Sequence, residues 1–590
     1  GLYLLACVAA RDFGWIGLPE TVSRLQQTLA SVAALEKLNG HLFNWYDTTD
    51  GTVLAPRYVS TVDSGNLAGH LIALAQACQD WADAPDQDVR PGLLDTLDLA
   101  RQDGDPELMD RITAAITAPQ PEWAAIARLT RGAGTHCPWL ASLHRQTAAH
   151  LADPDPDLSD ALRALAVQAH DMAWAMQFGF LLDPDRKLLS IGFAQSENTR
   201  DRSCYDLLAS EARLASLFAI AKGDIPATHW FRLGRPAVPM AGGAVLGSWS
   251  GSMFEYLMPI LVMDEPPGSL LDQSNRQSVV AQQRYGRRRG VPWGLSESGF
   301  NARDLQMNYQ YSSFGVPDLG LKRGLEADLV VSPYASALAA MVDPQAAADN
   351  LAQLADLGAV GPFGFYEALD FTPLRRPTGQ AVALVRSHMA HHQGMTIVSI
   401  ANVLQDGRMR ARFHAEPAIR AAELLLQERI PRNIPAAIPR SDASAPRPAS
   451  TEDMQRMAVI EGAPHGPPVA HILSNGRYGV TLTATGGGTS RWGPLAVTRA
   501  GTDPACDEGG SRLWIRDLRT QALTRIGGAD PTDHARVELF EDRVLFQRRD
   551  GPLSTALEVL VSGEDDAEVR MLTLTSTARV PVSLELTSYA

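Results

Sequence analysis

Tyr205-Asp-Leu-Leu-Ala-Ser-Glu-Ala-Arg-Leu-Ala-Ser216 reads as the first turns of a helix that follows a polar loop, Gln195-Ser-Glu-Asn-Thr-Arg-Asp-Arg202. From Leu207 to Lys222 apolar residues recur at three-to-four spacing, which puts them on one face of a 3.6-residue period. The same spacing runs through Val22–Leu38, Leu67–Trp81, Leu158–Met176 and Val382–Leu404, and β-alternation is rare before about residue 430. The connections between these helices are rich in Gly, Trp, Tyr and Asp, and it is they that carry the conspicuous residues. A dozen or so helices joined by aromatic and acidic loops predict a mainly α fold, a closed double ring of helices in preference to a compact bundle with short, bland loops. Residues 83–157, with Asp- and Pro-rich connections, read as a helical scaffold without chemistry of its own.

Repeated Pro, Ala, Ser and Arg in Ile430–Ser450 mark a linker. Beyond it the period changes: Tyr478–Ala484, Arg536–Phe540, Arg543–Gln547, Ala556–Val561 and Val569–Thr575 alternate or are β-branched, between Gly, Asp and Pro turns. These segments predict a β-sandwich domain cut before its end, with Gly486-Gly-Gly488 as a turn. The expected division is therefore a helical domain over 1–430, a linker over 431–455 and a β-sandwich part over 456–590.

The chain has 590 residues, 45% apolar and 20% charged, the make-up of a globular protein with room for two or three domains. Its formal charge of −15 argues against a nucleic-acid partner. The one basic run, Arg287–Arg289, suits a helix C-terminus. Five cysteines without CxxC spacing indicate neither a zinc site nor a disulfide framework, so a reducing compartment and no metal or other cofactor are expected. No run of about 18 apolar residues is present to cross a bilayer. The absence of an initial Met and the strand-like end Ser583–Ala590 suggest an excised fragment, with any membrane anchor outside it.

Four loops or loop-helix junctions each hold a glutamate. In Val291-Pro-Trp-Gly-Leu-Ser-Glu-Ser-Gly-Phe300, Glu297 stands beside an indole and small residues, with no helix-surface explanation, ahead of Asn301-Ala-Arg-Asp304 and the aromatic pair Tyr309 and Tyr311. Glu211 is either a helix-surface acid paired with Arg213 or a neighbour, or a site residue set between the polar loop, which includes Arg200 and Asp201, and His229-Trp-Phe-Arg232. Glu255, entering an apolar helix start, must bind sugar hydroxyls, orient a catalytic group or cap the helix dipole. Glu367 lies between Tyr366 and Asp370 in a Gly-rich aromatic loop, as a ligand-binding or structural acid. Paired carboxyl groups with aromatic faces are what cleavage of a glycosidic bond requires. His391 and His392 are adjacent, hence poor joint metal ligands, and suit sugar contact or loop anchoring. No HExxH, P-loop, GxSxG or GxGxxG motif supports a protease, NTPase, esterase or dehydrogenase.

Taken together, Arg11-Asp-Phe-Gly-Trp15, Asn44-Trp-Tyr-Asp47, Val62-Asp-Ser-Gly-Asn-Leu-Ala-Gly-His70, Tyr205–Leu214, Gly247-Ser-Trp-Ser-Gly-Ser-Met-Phe-Glu-Tyr-Leu-Met-Pro259, Pro292–Ser298, Gly364–Asp370 and Met389-Ala-His-His-Gln-Gly394 resemble the central glycoamylase-like region of bacterial cyclic β-1,2-glucan synthases. Leu473–Val480 and Ser490-Arg-Trp492 resemble the β-sandwich entry of the glycoside-phosphorylase-like region that follows it. The resemblance implies an (α/α)6 toroid that cyclises linear β-1,2-glucan by transglycosylation with retention. Such a reaction needs a nucleophile and an acid/base about 5–5.5 Å apart. By the same resemblance Glu297 is the nucleophile and Glu211 the acid/base. Substrate contacts are then expected from Glu255, Glu367, Arg200, Asp201, Trp230, Arg232, Trp249, Tyr256, Trp293, Tyr309, Tyr311, His391 and Gln393. The partners implied are a β-1,2-glucan chain and, in the parent polypeptide, an upstream glycosyltransferase and membrane region and a downstream phosphorylase-like region, which would place the chain at the cytoplasmic face of the inner membrane. An endo-β-1,2-glucanase and a non-catalytic glucan-binding or length-measuring module are the rival readings.

Overall fold

The computed structural model describes residues 1–84, 88–101, 105–119, 121, 123–131, 137–151, 156–240, 243–304, 307–377, 379–429, 456–462, 469–499, 509–527, 535–563, 565–578 and 580–589. The chain divides into two compact units, Gly1–Ser441 and Asp442–Ala590. The predicted linker over 431–455 and Cys506 lie outside the described residues.

The first unit is mainly helical. Its central element is Thr61–Asp83, opened by the Ser60 side chain, which accepts from the Asp63 backbone N–H, and buried along most of its length. Around it pack Leu2–Asp12, Pro156–Ala175, Arg213–Lys222 and Arg408–Ala415, and Leu2–Asp12 also packs on Ala390–Leu404, so the first helix of the unit meets one of its last. Contact with Arg213–Lys222 is close because Gly65 has no side chain; a Cβ there would stand 2.2 Å from that of Ala215. Helix Leu270–Arg289 ends in its three arginines and a left-handed Gly290, as the basic run predicted. The scaffold helices Arg90–Ala100, Pro106–Thr117, Trp123–Thr130 and Pro138–His150 enclose a separate small core around Leu93, Ile112, Ile126 and Leu143.

Two helix boundaries differ from expectation. The helix expected from Leu207 begins only at Arg213, because Leu207 pairs with Gly234 in a β-bridge and the Leu208 N–H is bound by the Gly234 carbonyl. Glu211 therefore sits in a turn ahead of the helix. Within Val382–Leu404, Ala383–Val385 is a strand paired with Ala368–Asp370, and the helix starts at Ala390. A short apolar run does not by itself distinguish strand from helix. Short antiparallel pairs of this kind are more frequent in the loops of this unit than the sequence suggested.

The second unit is built from antiparallel sheets. Five strands run in the order Arg456–Glu461, Ala535–Phe540, Arg543–Asp550, Leu553–Val561 and Glu568–Ser576, beside a four-stranded and a three-stranded sheet. Alternate residues Val544, Phe546, Leu557 and Val559 of the first sheet meet Leu473, Tyr478, Val480 and Leu482 of the second and Ile515 and Ile526 of the third in one core. This is the sandwich arrangement that period-two patterning predicts. Among the described residues, no helix is long and apolar enough to cross a membrane.

Candidate active site

Glu211, Glu255, Glu297 and Glu367 come from four separate segments of the first unit, and their charges act on one another in one neighbourhood. What differs is how many protein donors each accepts.

The turn carrying Glu211 is fixed by Arg213. Its guanidinium donates to the carbonyls of Ser210 at 3.1 Å and Glu255 at 2.9 Å, and so ties the Glu211 and Glu255 segments together. It also pairs with Glu265 at 3.0 Å, both side chains being buried, and Asn275 donates to the other Glu265 oxygen. Arg213 is thus not the partner of Glu211, and Glu211 lies in the turn ahead of the helix, not on its surface. Glu211 accepts from the Ser210 hydroxyl at 3.2 Å. Burial, then the charges of Glu255 and Glu297, push its carboxyl up to about 8, so that it holds a proton at neutral pH.

Glu255 completes a capping box at the start of Met253–Leu257. Its oxygens accept from the Ser248 hydroxyl at 2.8 Å and from the backbone N–H groups of Ser250 at 3.0 Å and Ser252 at 3.1 Å. Gly251, at φ +69° with the Val316 carbonyl 2.5 Å from where a Cβ would stand, allows this tight loop. Of the three roles open to Glu255, the cap is occupied, and its charge is a fixed neighbour of the two carboxyls beside it.

Glu297 lies in a non-helical loop, as read from the sequence, just before the strand Ser298–Arg303. The Tyr334 hydroxyl holds its backbone by donating to its carbonyl at 2.8 Å, and the Tyr311 hydroxyl donates to Oε1 at 2.8 Å. Burial pushes the Glu297 carboxyl up to about 7, against the Tyr311 hydrogen bond, which lowers it; Glu255, Asp63 and Glu367 add to the rise. Glu367 is buried behind this loop. It accepts from the Gly299 N–H at 3.0 Å and pairs with His392 Nδ1 at 2.9 Å.

Trp249, 59% exposed, and Tyr311, 41% exposed, present open aromatic surface. His391 brings Nε2 to 3.4 Å from the Tyr311 hydroxyl, and burial lowers its pKa to about 4, so it is neutral. Arg200, Asp201 and Arg232 are exposed, and Asp201 accepts from Tyr58 at 3.3 Å. Other expected substrate contacts require correction. Trp230 is 1% exposed and belongs to the core, as does Tyr256, whose hydroxyl donates to the Leu246 carbonyl at 2.6 Å. Trp293 is 9% exposed, its backbone held by Asn350. Tyr309 has the Arg303 guanidinium 4.4 Å from its ring centroid, so one aromatic face is covered. Gln393 donates to the Phe365 carbonyl at 3.3 Å and, with Glu367 and His392, lines a cavity of about 70 Å³ behind the loop.

Sequence reasoning did not single out Asp63, Tyr205 and Tyr334. Burial and the charges of Glu211, Asp63 and Glu297 raise the Tyr205 hydroxyl, and burial raises those of Tyr311 and Tyr334, so all three stay protonated donors. Tyr205 and Asp63 stood inside quoted motifs, but only tertiary proximity assigns them to this site. The arrangement joins a proton-holding carboxyl, Glu211, to a second carboxyl, Glu297, that has a fixed donor, which is the division of roles needed by acid-assisted displacement at a sugar carbon.

Residues 204–417 match the glycoamylase family model, described as "Putative glucoamylase", and residues 456–590 match that of the glycosyl hydrolase 94 supersandwich domain. Over its whole length the chain is 43% identical to the cyclic beta-(1,2)-glucan synthase NdvB of Rhizobium meliloti (strain 1021), and it spans 23% of that protein's length. The resemblance read from the motifs is thereby borne out. Among solved structures, the endo-beta-1,2-glucanase of Chitinophaga pinensis is similar over 72% of this chain and 86% of its own, at 14% identity and a TM-score of 0.47. The beta-1,2-glucanase of Parabacteroides distasonis is similar over 72% of this chain and 54% of its own, also at 14% identity and 0.47.

Proposed function

We propose that this chain is a glycoside-hydrolase-type enzyme that cyclises linear β-1,2-glucan by retaining transglycosylation, as part of a longer cyclic glucan synthase. The observation that carries it is the meeting of Glu211 and Glu297 in one desolvated site, the first holding a proton and the second accepting, among the described residues, from the Tyr311 hydroxyl. The whole-length similarity to a cyclic β-(1,2)-glucan synthase supports β-1,2-glucan as the substrate.

In this reading the helical part, residues 1–430, is an (α/α)6 toroid, which the contact of Leu2–Asp12 with Ala390–Leu404 favours, since a ring must return to its start. Residues 431–455 are a linker, and 456–590 the β-sandwich part of a phosphorylase-like domain. Upstream glycosyltransferase and membrane regions of the parent hold the whole at the cytoplasmic face of the inner membrane.

The Glu297 carboxylate attacks the anomeric carbon while Glu211 gives its proton to the departing glycosidic oxygen. The glucan fragment on the reducing-end side leaves, and a covalent glycosyl-Glu297 ester remains. The 2-hydroxyl at the far end of the same chain then attacks that ester, returning its proton to Glu211 and restoring the Glu297 carboxylate. Ring closure needs the chain end held in place of water. Trp249 and the open face of Tyr311 are the surfaces available for that grip.

Mass spectrometry of the products from long linear β-1,2-glucan tests the proposal. Products lighter than the linear glucans by one water, and lost in Glu211→Gln and Glu297→Gln, are expected. Shorter linear glucans alone would make the chain a hydrolase, and binding without turnover a glucan-binding module.

A further inference from the structure

One feature of the site is unused by this mechanism: a file of hydrogen-bonding groups running inward from Glu297 through Tyr311 and His392 to Glu367. The Tyr311 hydroxyl oxygen is 2.8 Å from Glu297 Oε1, 3.2 Å from His392 Nε2 and 3.4 Å from His391 Nε2. His392 Nδ1 is 2.9 Å and 3.1 Å from the two Glu367 oxygens. The imidazole is stacked on the Tyr334 ring at 3.7 Å and 8°, and both it and Glu367 are buried.

A tyrosine has one hydroxyl proton and here three acceptors within reach, so something must choose among them. If Glu367 is a carboxylate and His392 a neutral imidazole protonated on Nδ1, the bare Nε2 competes with Glu297 for the Tyr311 hydrogen. If the pair holds one proton more, Nε2 carries a hydrogen, donates to the Tyr311 oxygen and leaves the hydroxyl hydrogen to Glu297. That extra proton resides either on Nδ1, opposite a Glu367 carboxylate, or on Glu367, opposite a bare Nδ1. Two observations favour it. The shortest of the three Tyr311 contacts is the one to Glu297. The pair is also buried, with Glu297 one hydroxyl away across Tyr311, and there a net-neutral pair costs less than a further negative charge.

We infer that Glu367 and His392 are positioning residues that share one proton and thereby direct the Tyr311 hydroxyl at Glu297 Oε1, leaving Oε2 as the attacking oxygen. The inference rests on the reading of Glu297 as nucleophile. It moves Glu367 from the sugar-binding set to the support behind the site and adds His392 to that support. The ionisable groups facing His392 among the described residues are Glu367, Tyr311, Tyr334 and His391, with Glu297 beyond Tyr311.

The test combines a spectroscopic readout with kinetics on the full chain. In 15N-histidine-labelled protein at neutral pH, with the His392 signal identified by its loss in His392→Gln, Nε2 is expected to carry a proton. With linear β-1,2-glucan, Tyr311→Phe should lower kcat about tenfold, leave KM unchanged, and move the acid limb of kcat/KM to higher pH, because Glu297 loses the donor that favours its ionised form. Glu367→Met should lower kcat similarly. Glu367→Gln should recover most of that loss, since an amide can accept from Gly299 and donate to a bare Nδ1, which keeps the hydrogen on Nε2. A bare Nε2 in the wild type, a Glu367→Gln as damaged as Glu367→Met, or a raised KM with unchanged kcat overturns the inference. The proton on Nε2 is read without turnover, so failure of the proposed reaction is distinguishable from failure of the proton placement.

Discussion

The segments carrying Glu211 and Glu297 and those carrying Glu255 and Glu367 look alike in sequence and differ in structure. All four hold a glutamate among small or aromatic neighbours. Glu255 is saturated by a hydroxyl and two backbone N–H groups, and Glu367 by a backbone N–H and an imidazole. Among the described residues, the donor from another residue is a single hydroxyl for each of Glu211 and Glu297, that of Ser210 and that of Tyr311. A carboxylate whose lone pairs are taken by its own fold is a poor nucleophile or proton donor, and one that is desolvated and short of donors is poised to use a substrate instead. The fold brings the four acids into one neighbourhood, and among the described residues hydrogen-bond supply divides them into two with a single hydroxyl donor from another residue and two held by several donors.

The comparison is tested most sharply by activity. Glu211→Gln and Glu297→Gln should each lower kcat by about 10³-fold or more while leaving the thermal midpoint within about 2 °C. A loss of stability in place of activity would return these two residues to the structural class. The converse substitution carries the next largest effect. Glu255→Ala strips two backbone donors and the Ser248 hydroxyl of their acceptor and should cost about 2–4 kcal/mol in urea unfolding. An unchanged midpoint with a strongly raised KM would instead make Glu255 a sugar ligand.

The smallest expected effect concerns pH. A carboxyl raised from about 4.5 to about 8 on folding binds its proton more tightly in the folded state than in the unfolded one. Its contribution to stability is therefore fully present below about pH 4.5 and is lost as the pH rises through about 8. Glu211→Gln, which cannot ionise, should melt about 1–2 °C higher than wild type at pH 9 and no higher at pH 5, measured by calorimetry. Equal pH profiles would place Glu211 in water, not in a desolvated site.

The sequence by itself determined what depends on near neighbours. Three-to-four spacing marked the helices, period-two alternation marked the strands of the second unit, and the Pro-Trp-Gly-Leu-Ser-Glu loop left Glu297 no helical explanation. The motifs also sufficed for a resemblance that whole-length similarity bears out. The tertiary structure decided what depends on distant partners. It set the helix start at Arg213, through pairing of Leu207 with Gly234, and it turned Arg213 away from Glu211 toward Glu265. It also sent Trp230 and Tyr256 into the core while leaving Trp249 open. An aromatic side chain looks the same in sequence whether its face meets solvent or another helix. Likewise the state of a carboxyl depends on donors supplied from elsewhere in the chain, as Tyr311 is for Glu297 and His392 for Glu367, and local spacing does not encode which of those donors arrive.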